Sequence, residues 1–318
     1  MIRASVIVPA RDAEATLPRT LAALADQEVA PSFEVVVADD GSRDGTAAIV
    51  ERAGARLVRL GGAGPAEARN AAVAAASGAL LAFCDADCYP SPGWLAAGVR
   101  ALADADLIQG RVLADPRAEP GAFDRLHEVT AEDGLYDPAS LFATRALFDR
   151  LGGFERAPGD DRARREATGG GLTEAAWLGW RARRAGARTA FCAEALCHHP
   201  VAPREAREYV EARRRLRHLP ELAAKVPELR ETLLHRRLFL SRRTLKLDMA
   251  LAGLAAAAAR RSALPLVAAA PYALELRRHA RARAGDGWKE VAAVDAAADL
   301  AGAAALVRGS LAARSAVL

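Results

Sequence analysis

Two carboxylates, Asp85 and Asp87, stand one residue apart directly after an unbroken apolar run at 79–84. A run that short reads as a strand buried on both faces, and acids beyond its carboxyl end lie where open α/β sheets bind ligands. An aspartate pair in that place can hold a hard divalent cation through oxygen and share it with a diphosphate. The same acids would also suit a plain solvated turn, since Pro90-Ser-Pro92-Gly93 follows at once. Against the plain turn, two further strands end alike. Residues 5–8 run into Pro9-Ala10-Arg11-Asp12, and residues 34–38 run into Asp39-Asp40-Gly41-Ser42.

The elements that must carry these acids follow from the spacing. After the strand at 5–8, residues 14–25 have helical spacing through Leu17, Leu21 and Leu24. After the strand at 34–38, Asp44 can cap a helix that runs to about residue 53. A weaker strand at 56–60 leads into Gly61-Gly62-Ala63-Gly64, and Pro65 suits the first turn of the next helix, which stops at Ser77-Gly78. Strands alternating with helices in this way predict a parallel sheet with crossovers. Right-handed crossovers would bring Arg11/Asp12, Asp39/Asp40 and Asp85/Asp87 to one edge. Further on, the pattern predicts a helix at 94–102, strands at 106–113 and 141–144, a short helix at 145–151, a helix at 172–185 and a last strand at 189–192. Residues 115–138 and the charged, glycine-ended stretch 155–171 read as loops. From residue 204 the pattern is helical only, at 204–219, 221–239, 245–259, 262–276 and 288–312. The expected domains are therefore 1–200 and a basic, alanine-rich helical region at 201–318.

Composition bounds the function. The chain has 318 residues and 52% hydrophobic content, enough for a full core and for two domains. Net charge is only +4, but residues 200–283 hold nineteen Lys/Arg against eight Asp/Glu. That excess predicts a basic surface facing an acidic partner, lipid or nucleic acid. The apolar segments at 245–259 and 262–276 are too short to span a bilayer; a helical hairpin in the membrane interface fits them, as does packing against protein. MIRASVIVPA is too short for a signal peptide. Cys84-x3-Cys88 and Cys192-x4-Cys197, followed by His198 and His199, have zinc-like spacing, but Cys84 lies inside the apolar run. Reduced thiols then suit a cytoplasmic location.

SVIVPARDAEATL, VVVADDGSRDGT, GPAEARNAAVAAASG and AFCDADC, in that order, resemble the family 2 glycosyltransferases. LFATRALFDRLGGF, LGWRARRAGAR and CHHPV extend the likeness over about 200 residues, and the helical tail with VRGSLAARSAVL looks like that of membrane-associated bacterial members. The resemblance implies a GT-A fold, a Rossmann-like, mostly parallel sheet flanked by helices, followed by an all-helical C-terminal region. It implies a nucleoside-diphosphate sugar donor, a hydroxyl acceptor such as a glycan, lipid or cell-envelope precursor, and Mg²⁺ or Mn²⁺ as cofactor, with no nucleic acid expected. Pro9, Ala10, Arg11 and Asp12 would form the first nucleotide loop. Asp40 would accept a hydrogen bond from the base with Asp39 in support, and Arg69 would meet the base and diphosphate. Asp85 and Ala86 would lie at the ribose, Asp85 touching it or a metal-bound water, while Asp87 would bind the metal directly. His199 would approach the diphosphate or the metal. The implied place is the cytoplasm, peripheral on the inner face of the cell membrane.

The catalytic base departs from the family pattern. Relatives read Gly-Glu-Asp-x-Asp-Leu before the Trp180-Arg181 helix, whereas this chain reads Thr173-Glu174-Ala175-Ala176-Trp177. Ser140 also stands where relatives carry asparagine. An alcohol attacking an anomeric carbon must lose its proton, so a carboxylate is needed. Glu174 is the expected base, with Asp160 and Asp161 as alternates. Two other readings stay open: a non-catalytic relative that binds a nucleotide or a partner, motivated by Ala175, and a nucleotidyltransferase. The second would want a lysine-bearing glycine-rich loop after the first strand, unlike Pro9-Ala10-Arg11-Asp12.

Overall fold

A computed structural model describes residues 3–28, 32–155 and 171–318. Buried β-branched runs build one mixed sheet. Its strands are β1 (Ala4–Ala10), β2 (Phe33–Asp39), β3 (Arg56–Arg59), β4 (Leu80–Phe83), β5 (Tyr89–Pro90), β6 (Leu107–Ala114), β7 (Leu141–Thr144) and β8 (Thr189–His199). Their order across the sheet is β3-β2-β1-β4-β7-β6-β8-β5. β1 lies parallel to β2 and β4, β2 to β3, and β6 to β8. β7 runs antiparallel between β4 and β6, and β5 lies antiparallel on β8. Ala10 pairs with Asp39 and Ile7 with Phe83, so the chain leaves β1, β2 and β4 at one carboxyl edge.

Crossover helices close the faces. α1 (Leu17–Ala25) buries Leu17, Leu21 and Leu24 on one stripe, as its spacing requires. α2 (Thr46–Arg52) follows β2, and Asp44 accepts from the Thr46 amide at 3.0 Å just ahead of it. α3 (Pro65–Ala75) starts after Gly64, whose φ of +103° requires glycine. α4 (Trp94–Ala101) buries Trp94 against Phe142 of β7, ring centroids 4.8 Å apart. α5 (Arg145–Leu151) is capped by Thr144 and ends at the left-handed Gly152. α6 (Gly171–Arg184) completes this set. Asp160 and Asp161, the alternate bases, lie outside the described residues.

The largest departure from the sequence pattern is in β8. The apolar signal ends at Cys192, yet the strand continues to His199 because its pairing with β6 jumps from Gly110↔Cys192 to Arg111↔Leu196. Glu194 sits in that irregularity and breaks the apolar alternation that sequence reading relies on. Pro90, read as the start of a turn at 90–93, instead forms a short strand with Tyr89, paired with Cys197 and His198.

The chain divides into two compact units, residues 1–119 with 126–201 and residues 120–125 with 202–318. The second is helical: α7 (Ala206–Ala212), α8 (Leu219–Lys225), α9 (Leu229–Thr232), α10 (Arg242–Arg260), α11 (Ala270–Ala284) and α12 (Trp288–Ala313). The expected helix at 204–219 changes to a 3₁₀ turn at Arg213–His218, and the one at 221–239 breaks at Pro227. Residues 120–125, which the sequence pattern left in the first domain, are tied to this unit. Arg125 bridges Ala202, Asp124 accepts from the Arg204 amide at 3.1 Å, and Phe123 packs on Tyr209. Asp295 of α12 is wholly buried and is neutralised by Arg283 and Arg243, while Arg243 and the Tyr272 hydroxyl also bind Asp299. Two guanidinium groups compensate an acid that would otherwise be too costly to bury. Among the described residues no helix is long and apolar enough to cross a membrane.

Candidate active site

The edge where β1, β2 and β4 end gathers most of the residues singled out by sequence. The loops after β1 and β2 are stitched together. The Asp12 amide donates to Ser42 Oγ at 2.9 Å, the Arg43 amide to Asp12 at 2.8 Å, and the Ala13 amide to Thr46 at 2.8 Å. Asp12 is left-handed, with φ of 49°, a conformation aspartate accepts more readily than most residues. Arg11 and Asp12 are exposed, whereas Ala10 is buried and its carbonyl accepts from the Asp40 amide at 2.8 Å. Pro9 pairs with Ala38 inside the sheet.

Asp39 and Asp40 are buried. Asp39 accepts from the Ser42 amide at 3.0 Å. Asp40 spends both oxygens on the glycine-rich loop, accepting from the Ala63 amide at 2.6 Å and the Gly64 amide at 2.8 Å. This carboxylate therefore shapes the 61–64 loop in its own right, a function the sequence pattern did not suggest. Its remaining lone pairs are what a ligand could use.

Arg69 projects from α3 to Asp85, Nη2 to Oδ1 2.8 Å, with its guanidinium 5.6 Å from the centre of the Phe154 ring. The guanidinium is 4% exposed, and its Nε and Nη1 have no hydrogen-bond partner among the described residues. A turn at residues 151–155 supplies Phe154 and is held from two helices. Asn70 of α3 exchanges two hydrogen bonds with the Phe154 backbone, at 2.8 and 2.9 Å. Arg181 of α6 donates to the carbonyls of Leu151 and Gly153. The arginine of the Trp180-Arg181 motif thus acts through this turn.

Ala86 is fixed through its carbonyl, which accepts from Thr20 of α1 at 2.9 Å. Asp87 faces His199 of β8, Oδ2 to Nε2 3.6 Å. His199 Nδ1 lies 3.0 Å from the Pro200 carbonyl, which can only accept, so that nitrogen donates there and Nε2 is the ring atom that faces Asp87. Burial pushes the Asp87 carboxyl up; His199 pulls it partly back and Asp85 pushes it further. The ligand atoms of Asp87, Cys88 and His199 all lie within 4.8 Å of one another, a donor set that fits a divalent cation. Behind His199 stands His127, ring centroids 4.9 Å apart, bonded through Nε2 to the buried Asp137 at 2.7 Å. Sequence reading had Cys88 and His199 only within a zinc-like spacing that it set aside, and it missed His127 and Asp137 as neighbours of this site, because no local periodicity links 127 and 137 to 199.

Glu174 is on the first turn of α6, wholly buried, as are Ala175 and Ala176 after it. Ser140 is structural: it accepts from Trp94 Nε1 at 2.9 Å and donates to the Ala195 carbonyl at 3.1 Å.

Known proteins are similar to this chain in sequence and fold. The profile described as glycosyl transferase family 2 matches residues 5–145. Glycosyltransferase AglE of Haloferax volcanii is 35% identical over 117 residues, 34% of this chain and 38% of AglE. The chain thus spans well under half the length of that relative. The mannosyltransferase PcManGT from Pyrobaculum calidifontis, solved in complex with GDP-Man and Mn²⁺, superposes with a TM-score of 0.63 at 26% identity, covering 95% of this chain and 87% of that one. Staphylococcus aureus TarS 1–349 in complex with UDP-GlcNAc shares the fold at a TM-score of 0.52 and 17% identity, over 99% of this chain and 93% of that one. Strands, carboxyl edge and structural relatives agree with the profile, and over residues 5–145 this chain is similar to glycosyl transferase family 2.

Proposed function

We propose that the chain is an inverting glycosyltransferase, moving a sugar from a nucleoside-diphosphate sugar to a hydroxyl acceptor by a single displacement. The observation that carries this reading is the pairing of Asp85 with Arg69 and of Asp87 with His199 at one sheet edge. Asp87 and His199 would hold Mg²⁺ or Mn²⁺, which when bound offsets the charge of the departing nucleoside diphosphate. The GDP-Man and Mn²⁺ in the PcManGT complex support that donor class and that ion. Arg69 brings two nitrogens, Nε and Nη1, without partners among the described residues to the same edge, suited to a diphosphate or base edge. Arg11, Asp12 and the loop ordered by Asp39 and Asp40 form the base-side wall. Glu174 accepts the acceptor's proton.

The burial of Glu174 and the presence of Ala175 favour one second reading, a nucleotide-binding relative without transfer. Glu174→Gln separates the two. The amide keeps size and hydrogen bonding but cannot take a proton, so donor binding stays intact while transfer falls roughly 100-fold or more. Unchanged transfer in Glu174→Gln removes Glu174 as base. Absence of turnover with a panel of sugar nucleotides, with nucleotide binding retained, establishes the second reading.

In the helical unit, α10, α11 and the turn between them expose large apolar side chains. Leu264 is 79%, Val267 70% and Leu274 65% exposed. Arg242, Arg260, Arg261, Arg277 and Arg278 are exposed on the same segment. We read this as peripheral attachment to an anionic membrane surface, at the cytoplasmic face, with apolar burial and basic charge acting together.

A further inference from the structure

We propose that the cation site at the donor edge includes a thiolate, Cys88, as a third ligand, so that it takes thiophilic divalent ions such as Zn²⁺ and Co²⁺ in preference to Mg²⁺. This rests on the reading of Asp87 and His199 as cation ligands.

The sheet places Cys88 there. Tyr89 pairs with His198 and Pro90 with Cys197, antiparallel, so the register sets Cys88 opposite His199. Alternation along the two strands then puts Cys88, Cys197 and His199 on one face. The side chains agree. Cys88 Sγ is 3.8 Å from Asp87 Oδ1, His199 Nε2 is 3.6 Å from Asp87 Oδ2, and the three ligand atoms lie within 4.8 Å of one another. Ligands around a tetrahedral ion at bond lengths of about 2.1–2.3 Å stand about 3.4–3.8 Å apart. The two separations run to different oxygens of Asp87 and the full set spans up to 4.8 Å, so an ion would draw the three side chains together by about 1 Å, a side-chain adjustment that leaves the strand pairing in place.

The chemistry of the set points the same way. Mg²⁺ demands an octahedron and prefers oxygen ligands, and a thiolate is a poor ligand for it. One thiolate, one imidazole and one carboxylate form a set for borderline ions. His199 already turns Nε2 towards Asp87, with its Nδ1 hydrogen-bonded to the Pro200 carbonyl. Asp87 is 40% exposed and His199 16%, which leaves an entry path, while Cys88 is wholly buried behind them. Cys84 and Cys197 are buried in the same apolar cluster as Cys88. Binding converts the Cys88 thiol and the ion to a metal thiolate and one released proton.

The test uses the full chain, stripped of metal with a chelator and free of nucleotide. Titration with Co²⁺ is expected to give a sulfur-to-cobalt charge-transfer band in the near ultraviolet, saturating at one ion per chain. Cys88→Ser loses the band and binds Zn²⁺ roughly 100-fold more weakly, since even ligand-supporting residues cost 10–100-fold. Cys192→Ser, which alters a thiol remote from Asp87, keeps both. A wild-type chain saturated with Co²⁺ without the band, or a band that survives in Cys88→Ser, overturns the proposal. Should Cys88→Ser fail to fold, ¹¹³Cd NMR of the wild-type chain decides alone. A resonance in the range of sites with one thiolate supports it, and one in the range of oxygen and nitrogen sites overturns it. Mn²⁺-dependent binding of GDP and UDP is measured alongside. Nucleotide binding without the band refutes the thiolate and leaves the glycosyltransferase reading standing; a band without nucleotide binding does the reverse.

Discussion

The Arg69–Asp85 pair gives the sharpest energetic prediction, because its two members are unequally buried. The guanidinium is 4% exposed and the carboxylate 29%. Removing one member of a fully buried pair costs about 3–5 kcal/mol, most of it from the charge left behind. Arg69→Met leaves Asp85, which can turn to water, so the expected cost is about 2 kcal/mol. Asp85→Ala leaves Arg69, whose Nε and Nη1 are without partners among the described residues, and the expected cost is about 3–4 kcal/mol. The more exposed residue is thus predicted to be the more costly to lose. The double variant should fall short of the summed single costs by about 1–2 kcal/mol. Urea denaturation at neutral pH, followed by tryptophan fluorescence, measures all three, since Trp94, Trp177 and Trp180 belong to the unit that holds the pair. Equal single costs, or both below about 0.5 kcal/mol, would refute the reasoning from burial. Titration with GDP or UDP in the presence of Mn²⁺ should show a loss of affinity in Arg69→Met as well.

Three further outcomes are expected. Asp40→Ala frees the amides of Ala63 and Gly64, so hydrogen exchange at both should quicken and stability fall by about 2–3 kcal/mol; unchanged exchange there would mean that the loop does not depend on Asp40. At Asp137, burial pushes the carboxyl up, but the His127 hydrogen bond and charge outweigh it and hold it below the usual range. A lowered folded value gives stability that is present above the unfolded value of about 3.9 and lost as pH falls through the folded one, so Asp137→Asn should flatten the acid limb of urea unfolding; an identical limb would refute the pairing. In the helical unit, Leu264→Asp with Val267→Asp should weaken sedimentation with anionic vesicles by roughly 10-fold or more, and high salt should release the wild type only in part. Full release of wild type by salt alone would rule out apolar insertion.

How much of this was readable in the sequence depends on the range of the signal. The strand-end acids were legible because a strand and its following loop are contiguous, and right-handed crossovers leave few ways to arrange three such units. Asp39, Asp40, Asp85 and Asp87 do emerge on one edge for that reason. Their partners were less legible, since a backbone amide has no side-chain signature. Nothing in the Gly61-Gly62-Ala63-Gly64 stretch shows that its amides will occupy Asp40. His127 and Asp137 fall in a polar stretch without periodicity, and they find each other only through tertiary packing.

His199 depends on a register that no local pattern encodes. With continuous pairing after Gly110↔Cys192, Ala114 would meet Leu196; the observed jump brings His199 to it instead. The jump needs room at Gly110, where a Cβ would overlap Ser140 Oγ and come within 2.6 Å of the Ala195 carbonyl. Ser140 in turn holds that carbonyl and the Trp94 indole. The donor edge is therefore completed from two directions. One is the parallel half of the sheet, written in short-range hydrophobic runs. The other is β8, where a glycine, a serine and a bulge deliver the imidazole to Asp87, and where Cys88 becomes its neighbour through the same pairing. A residue's place after a strand can be read from its own segment, whereas a ligand set drawn from two strands is fixed by the register between them.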